Sequence, residues 1–88
     1  MQRDIDLILE QLAATIPGIH TQQLKVLHPG ADDDGLWFIN IEDRVGEVQI
    51  ESASGMCPFV IESDFSNERF QGRTVEDVIV TIRRLYTL

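Results

Sequence analysis

V-Q-I-E-S-A-S-G-M-C-P-F-V-I-E-S-D, residues Val48 to Asp64, is the stretch that decides the fold. Its two halves carry the same triplet, Ile50-Glu51-Ser52 and Ile61-Glu62-Ser63, on either side of a Ser-Gly-containing connector. Two alternating runs about such a connector predict a β-hairpin. Side chains in a strand point alternately to opposite faces, so the alternation sorts apolar residues from acids. One face of the hairpin is apolar and the other is crowded with carboxylates.

Upstream of the hairpin, Leu36 to Glu42 is dense in aromatic and β-branched residues and reads as a strand. Asp43-Arg44-Val45-Gly46 turns the chain into the hairpin, whose strands are expected over 47–52 and 58–64. Pro58 has no amide donor and suits a strand start or an edge. Thr21 to His28 also alternates, with Leu24 and Val26 opposite Gln23 and Lys25, and predicts a further strand. Between them, His28-Pro29-Gly30-Ala31-Asp32-Asp33-Asp34-Gly35 is rich in turn formers and reads as a solvated loop.

Helices flank the strands. Ile5, Ile8, Leu9, Leu12 and Ile16 recur at helical spacing, which predicts an amphipathic helix over about residues 3 to 15, stopped by Pro17-Gly18. At the other end, Thr74-x-x-Asp77 forms a variant capping box. Val75, Val78, Ile79, Ile82, Leu85 and Tyr86 make the apolar stripe behind it, and Arg83 and Arg84 suit the negative end of the helix dipole. Asn67 to Arg73 reads as a polar connector.

The expected order is therefore α-β-β-β-β-α in a single α+β domain over residues 1–88. Strands in an unbroken run with short connections favour an antiparallel meander of about four strands. Each helix has one apolar stripe to cover, so the economical arrangement is a two-layer sandwich with both helices on one sheet face. The other face is left to water.

Parity assigns residues to the two faces. Trp37, Ile39, Ile41, Val48, Ile50, Phe59 and Ile61 fall together beneath the helices. The open face then shows Leu36, Phe38 and Val60 among Glu42, Glu47, Glu51, Glu62 and Asp64. A one-residue bulge would reverse a strand and undo the assignment. Apolar residues ringed by acids suit a protein-binding patch, with Phe38 and Val60 as anchors and Glu42, Glu47, Glu51, Glu62 and Asp64 steering a cationic partner. Two other readings stand beside it: a plain solvated sheet face, and a face that pairs with its copy in a homodimer.

Charge narrows the partners. Fifteen acids against seven bases give a net charge of −8, which repels nucleic-acid phosphates and anionic lipid. A partner chosen by charge is basic; alternatively the acidity serves only solubility. The two arginines of Arg69 to Arg73, flanking Phe70, do not offset that total, so no nucleic-acid partner is expected. The polar start Gln2-Arg3-Asp4 does not read as a secretory signal, and the longest apolar runs, such as Leu36 to Ile39, are too short to span a membrane. A cytoplasmic protein with no membrane partner is expected.

Catalytic and metal chemistry find little purchase. Cys57 is the only cysteine, and its acidic surroundings oppose the thiolate that a nucleophile needs. Asp32-Asp33-Asp34 lacks the alternate spacing and closing Glu of a calcium loop. His20 and His28 read as loop-edge residues, and with Cys57 they do not make up a zinc site. The six glycines are dispersed, so no phosphate loop exists. Glu42, Glu47, Glu51 and Glu62 would need a dry pocket to act as an acid–base pair, and a chain of this size leaves little room for one. No enzyme, cofactor or metal site is expected.

The segments G-L-W-F-I, V-Q-I-E-S-A-S-G-M-C-P-F-V-I-E-S-D and T-V-E-D-V-I-V-T-I-R-R-L-Y lie in this order within residues 35 to 86. In size, acidity and helix–sheet–helix plan the chain resembles small bacterial immunity proteins that neutralise polymorphic or contact-dependent toxins. That resemblance implies a cytoplasmic inhibitor that plugs a basic toxin surface, often a nuclease cleft, with acidic side chains. It rests on the overall plan and carries no functional residue over to this sequence.

Overall fold

The computed structural model describes residues 2–24 and 35–88. The elements are α1 (Asp4–Thr15), β1 (Ile19–Gln23), β2 (Leu36–Ile41), β3 (Val48–Glu51), β4 (Phe59–Ser63), β5 (Ser66–Gly72) and α2 (Val75–Leu85). The strands form one sheet in the order β1-β2-β3-β4-β5, every pair antiparallel. It is an α+β meander with a helix at either end of the chain.

The sheet has five strands where about four were expected. The polar segment expected to be a connector is β5, which pairs along β4 through Phe59–Gly72, Val60–Gln71 and Ile61–Phe70. As an edge strand it has only Phe70 and Gly72 turned to the core side, so its sequence shows no apolar alternation. At the other edge, β1 runs over Ile19–Gln23 rather than from Thr21 to His28. The expected residues 25 to 28 of that strand lie outside the described residues. So do His28 and the loop aspartates Asp32, Asp33 and Asp34.

Ile50 stands opposite both Trp37 and Ile61, and Val48 opposite Ile39. These side chains, with Ile41 and Phe59, join Ile5, Ile8 and Leu12 of α1, Ile16 just after it, Val78 and Ile82 of α2, and Tyr86 in one buried cluster. Both helices therefore cover the same sheet face. Each aliphatic or aromatic side chain buried in this way contributes about 1.5–3 kcal/mol. Trp37 and Phe59 meet edge to face within the cluster, 6.4 Å between centroids.

Local signals place the helices. The Asp77 N–H donates to Thr74 Oγ1 at 3.0 Å, so Thr74 caps α2 as its sequence predicts. Gly72 allows α2 to lie close to the sheet, since a Cβ there would collide with Val78. At the start of α1, the Ile5 N–H donates to the Gly55 carbonyl at 2.9 Å. The Cys57 N–H donates to the Asp4 carboxylate at 2.8 Å. The β3–β4 connector thus holds the first turn of α1, supplying an acceptor to one of its unpaired N–H groups.

Candidate binding face

The strand registers fix what the uncovered face presents. One cross-strand row runs Leu36–Glu51–Val60–Gln71. The next runs Gln22–Phe38–Gln49–Glu62. A third pairs His20 with Asn40, so His20 is an exposed residue within β1 rather than at a loop edge. The sheet is irregular between Ile61 and Ser63, which face Phe70 and Ser66. Two residues' advance along β4 there matches four along β5, so the extra residues are taken up by β5. The alternation of β4 survives, with Phe59 and Ile61 inside and Val60 outside.

Leu36 and Phe38 are half-buried neighbours on β2, whereas Val60 is two strands away. Strands are spaced by roughly 4.8 Å, so about 10 Å separates β2 from β4. Glu51 and Gln49 of β3 fill that interval. The apolar residues are thus two separate contacts across a polar strand, not one continuous patch. Glu51 is exposed, and among the described residues its carboxylate has no ion-pair or hydrogen-bond partner.

The other acids are differently engaged. Glu62 accepts an ion pair from Arg69 Nε at 2.9 Å. Both side chains are well exposed, so this pair adds little to stability. Asn40 Nδ2 donates to Glu47 Oε2 at 3.1 Å. Asp64 lies in the β4–β5 turn, and its carboxylate accepts the Glu47 N–H at 2.9 Å while its own N–H donates to the Glu47 carbonyl at 3.0 Å. Glu42 is exposed just past β2, its N–H donating to the Gly18 carbonyl at 2.8 Å. Glu62 faces out at mid-strand and Glu51 at the end of β3 nearer the β3–β4 connector, while Glu47 and Asp64 gather at the opposite end, where β2–β3 and β4–β5 turn.

At that end lie two exposed apolar residues that strand parity does not reach. Val45, in the β2–β3 loop, is 94% exposed, and Phe65, in the β4–β5 turn, is 43% exposed. An apolar side chain within a run of turn formers was the available signal, in D-R-V-G and in S-D-F-S. Phe65 stacks edge to face on Tyr86 at 5.0 Å, and its ring lies over Gly46, where a Cβ would come within 2.5 Å. Gly46 takes a φ of +106°, open to glycine and costly for other residues.

Chemical activation is little served by these surroundings. Every carboxylate among the described residues is exposed or half-buried. No group of three or more His, Cys, Asp or Glu side chains among them is arranged to hold a metal ion. Burial, then the hydrogen bond and charge of Asp4, then the charge of Asp77, push the Cys57 thiol up to about 11. Glu62, Ser63, Ser66, Asn67, Glu68 and Arg69 line a polar hollow of about 300 Å³ beside the β5 irregularity. No described helix is long and apolar enough to cross a membrane.

No protein-family model, curated protein or solved structure matches the chain.

Proposed function

We propose that this protein is a non-catalytic binding domain that takes a basic protein partner on its open sheet face, acting as a cytoplasmic immunity or inhibitor protein. One observation carries the reading: the Glu51 carboxylate, without a partner among the described residues, stands between Leu36 and Val60 on the middle strand of a face that neither helix covers. A carboxylate between two apolar contacts favours a partner that brings a cation to the middle and apolar groups to the flanks. The net charge of −8 adds long-range attraction for such a partner. The resemblance to immunity proteins supplies the inhibitory role, and the shallow, solvated carboxylates support the absence of catalysis.

The acidity weighs against a homodimer through this face, because two copies, each of net charge −8, would bring their carboxylates together. Two experiments separate the readings. Sedimentation at low and high salt detects self-association, which for facing carboxylates strengthens as salt rises. A pull-down from source-cell lysate uses the parent, Glu51→Lys, Phe38→Ser, and a control Glu10→Lys on α1. A basic partner lost with the two face variants and in high salt, but kept by the control, supports the proposal. The same partner kept by both face variants overturns it, and so does the absence of any specific basic partner.

A further inference from the structure

Two loops meet at one end of the sheet and are held there by hydrogen bonds from three directions. The Tyr86 hydroxyl lies 2.8 Å from the Gly46 carbonyl oxygen, and Arg44 Nη1 donates to the Tyr86 carbonyl at 2.7 Å. The Glu47 N–H and the Asp64 carboxylate join the β2–β3 loop to the β4–β5 turn at 2.9 Å. Upon this frame sit Val45, 94% exposed, and Phe65, whose ring is fixed by Tyr86 below and Gly46 beside it. Asp43, Arg44 and Glu47 flank Val45 and Gly46 in sequence, and Asp64 precedes Phe65 and accepts the Glu47 N–H; the Glu42 side chain lies toward Gly18 instead, and Arg44 donates to the Tyr86 carbonyl.

We propose that Val45 and Phe65 are the apolar anchors of the interface, docking into a cationic protein surface whose Lys or Arg side chains meet Asp43, Glu47 and Asp64. The inference rests on the reading of the domain as a binder of a basic protein through its open face, and it extends that interface to anchors at this end of the sheet. Preorganisation is the physical reason. An anchor already immobilised in its own fold loses little side-chain entropy on binding, and water-exposed apolar area is recovered at the contact. Phe65 meets the first condition, its ring set on Tyr86 and against Gly46, and Val45 the second, being 94% exposed against 39% for Val60. Charge complementarity selects the occupant: Asp43, Glu47 and Asp64 outweigh Arg44 beside the two apolar groups and repel an acidic surface and a second copy of this acidic chain alike.

The test uses the full chain labelled with ¹⁵N and a synthetic twelve-residue Lys/Leu/Phe peptide, with a Lys/Ser peptide of equal charge as reference. Saturable amide shifts centred on Val45, Gly46 and Phe65 are expected with the first peptide, and at least tenfold weaker binding of the second. Val45→Ser should weaken the first peptide about tenfold while leaving the spectrum of the folded domain otherwise unchanged. Phe65→Ser should act in the same direction, but Val45→Ser is decisive because its side chain supports nothing beneath it. Shifts centred on Phe38, Glu51 and Val60 would overturn this inference and leave the binding-face reading standing. Equal binding of both peptides, shifts spread evenly over the acidic surface, or no binding would overturn both.

Discussion

The hydroxyl of Tyr86 lies 2.8 Å from the carbonyl oxygen of Gly46 and 3.0 Å from that of Ile39. The last buried side chain of the chain thereby fastens the end of α2 to the β2–β3 loop. Tyr86→Phe keeps the ring but removes the single O–H proton that the two carbonyls share, so a loss of about 1–2 kcal/mol is expected. Urea denaturation of the two proteins measures it. A midpoint equal to the parent's would mean that the bond contributes nothing net.

Burial, followed by the charges of Glu47 and Asp64, raises the Tyr86 phenol above its ordinary value of 10.0. Cys57 is raised in the same sense, from 9.0 to about 11. Both groups are held neutral in the folded state, so their contribution is fully present below the unfolded values. It is lost as pH rises through the folded ones. Thermal stability should therefore decline above about pH 9, with the Cys57 part of the loss complete once pH has passed about 11. Cys57→Ala should remove the lower part of that decline and Tyr86→Phe the upper part. Iodoacetamide alkylation of Cys57 should accelerate up to about pH 11 rather than level off near 9.

Gly72→Ala should destabilise the domain by about 1–3 kcal/mol, because the new methyl group collides with Val78 where α2 crosses β5. Gln71→Ala, one residue earlier and exposed, should stay within about 0.5 kcal/mol of the parent. Calorimetric melting of the pair provides the check. Equal melting temperatures would mean that α2 retreats without cost.

Thr87 adopts a φ of +56° just after α2, with the Leu88 N–H reaching the Arg83 carbonyl at 2.8 Å and the Thr87 N–H reaching that of Arg84 at 3.0 Å. This pair of bonds is a Schellman closure, in which the left-handed position usually belongs to glycine. A β-branched residue there is strained by about 1–2 kcal/mol, partly offset by the backbone entropy that glycine loses. Thr87→Gly is expected to stabilise by about 0.5 kcal/mol, seen as a higher urea midpoint. A lower midpoint would show that the Thr87 hydroxyl, 2.6 Å from the Tyr86 carbonyl, matters more than the strain.

Much of this architecture was legible because alternation and helical spacing are direct consequences of one-sided burial. Trp37, Ile39, Val48, Ile50, Phe59 and Ile61 all fall beneath the helices, as their parity requires. Strand β5 was illegible for the same reason in reverse: an edge strand with one half-buried aromatic has almost no burial to record. The open face was legible in its membership but not in its spacing. Parity places Phe38 and Val60 on one side, whereas their separation by Gln49 and Glu51 depends on strand order. Val45 and Phe65 escaped because turns have no period, and only the docking of Tyr86 brings them to one end.

The clasp between α1 and the β3–β4 connector sets an order on how the chain assembles. Asp4 and Ile5 find their partners at Cys57 and Gly55, and α1 packs against α2, the last element in sequence. During synthesis the first helix therefore emerges long before either surface that it needs, and a short isolated helix has little stability in water. The meander can zip from neighbour to neighbour as each strand appears. Helix α1 has to wait for α2, so a segment made before the whole sheet is among the last to settle.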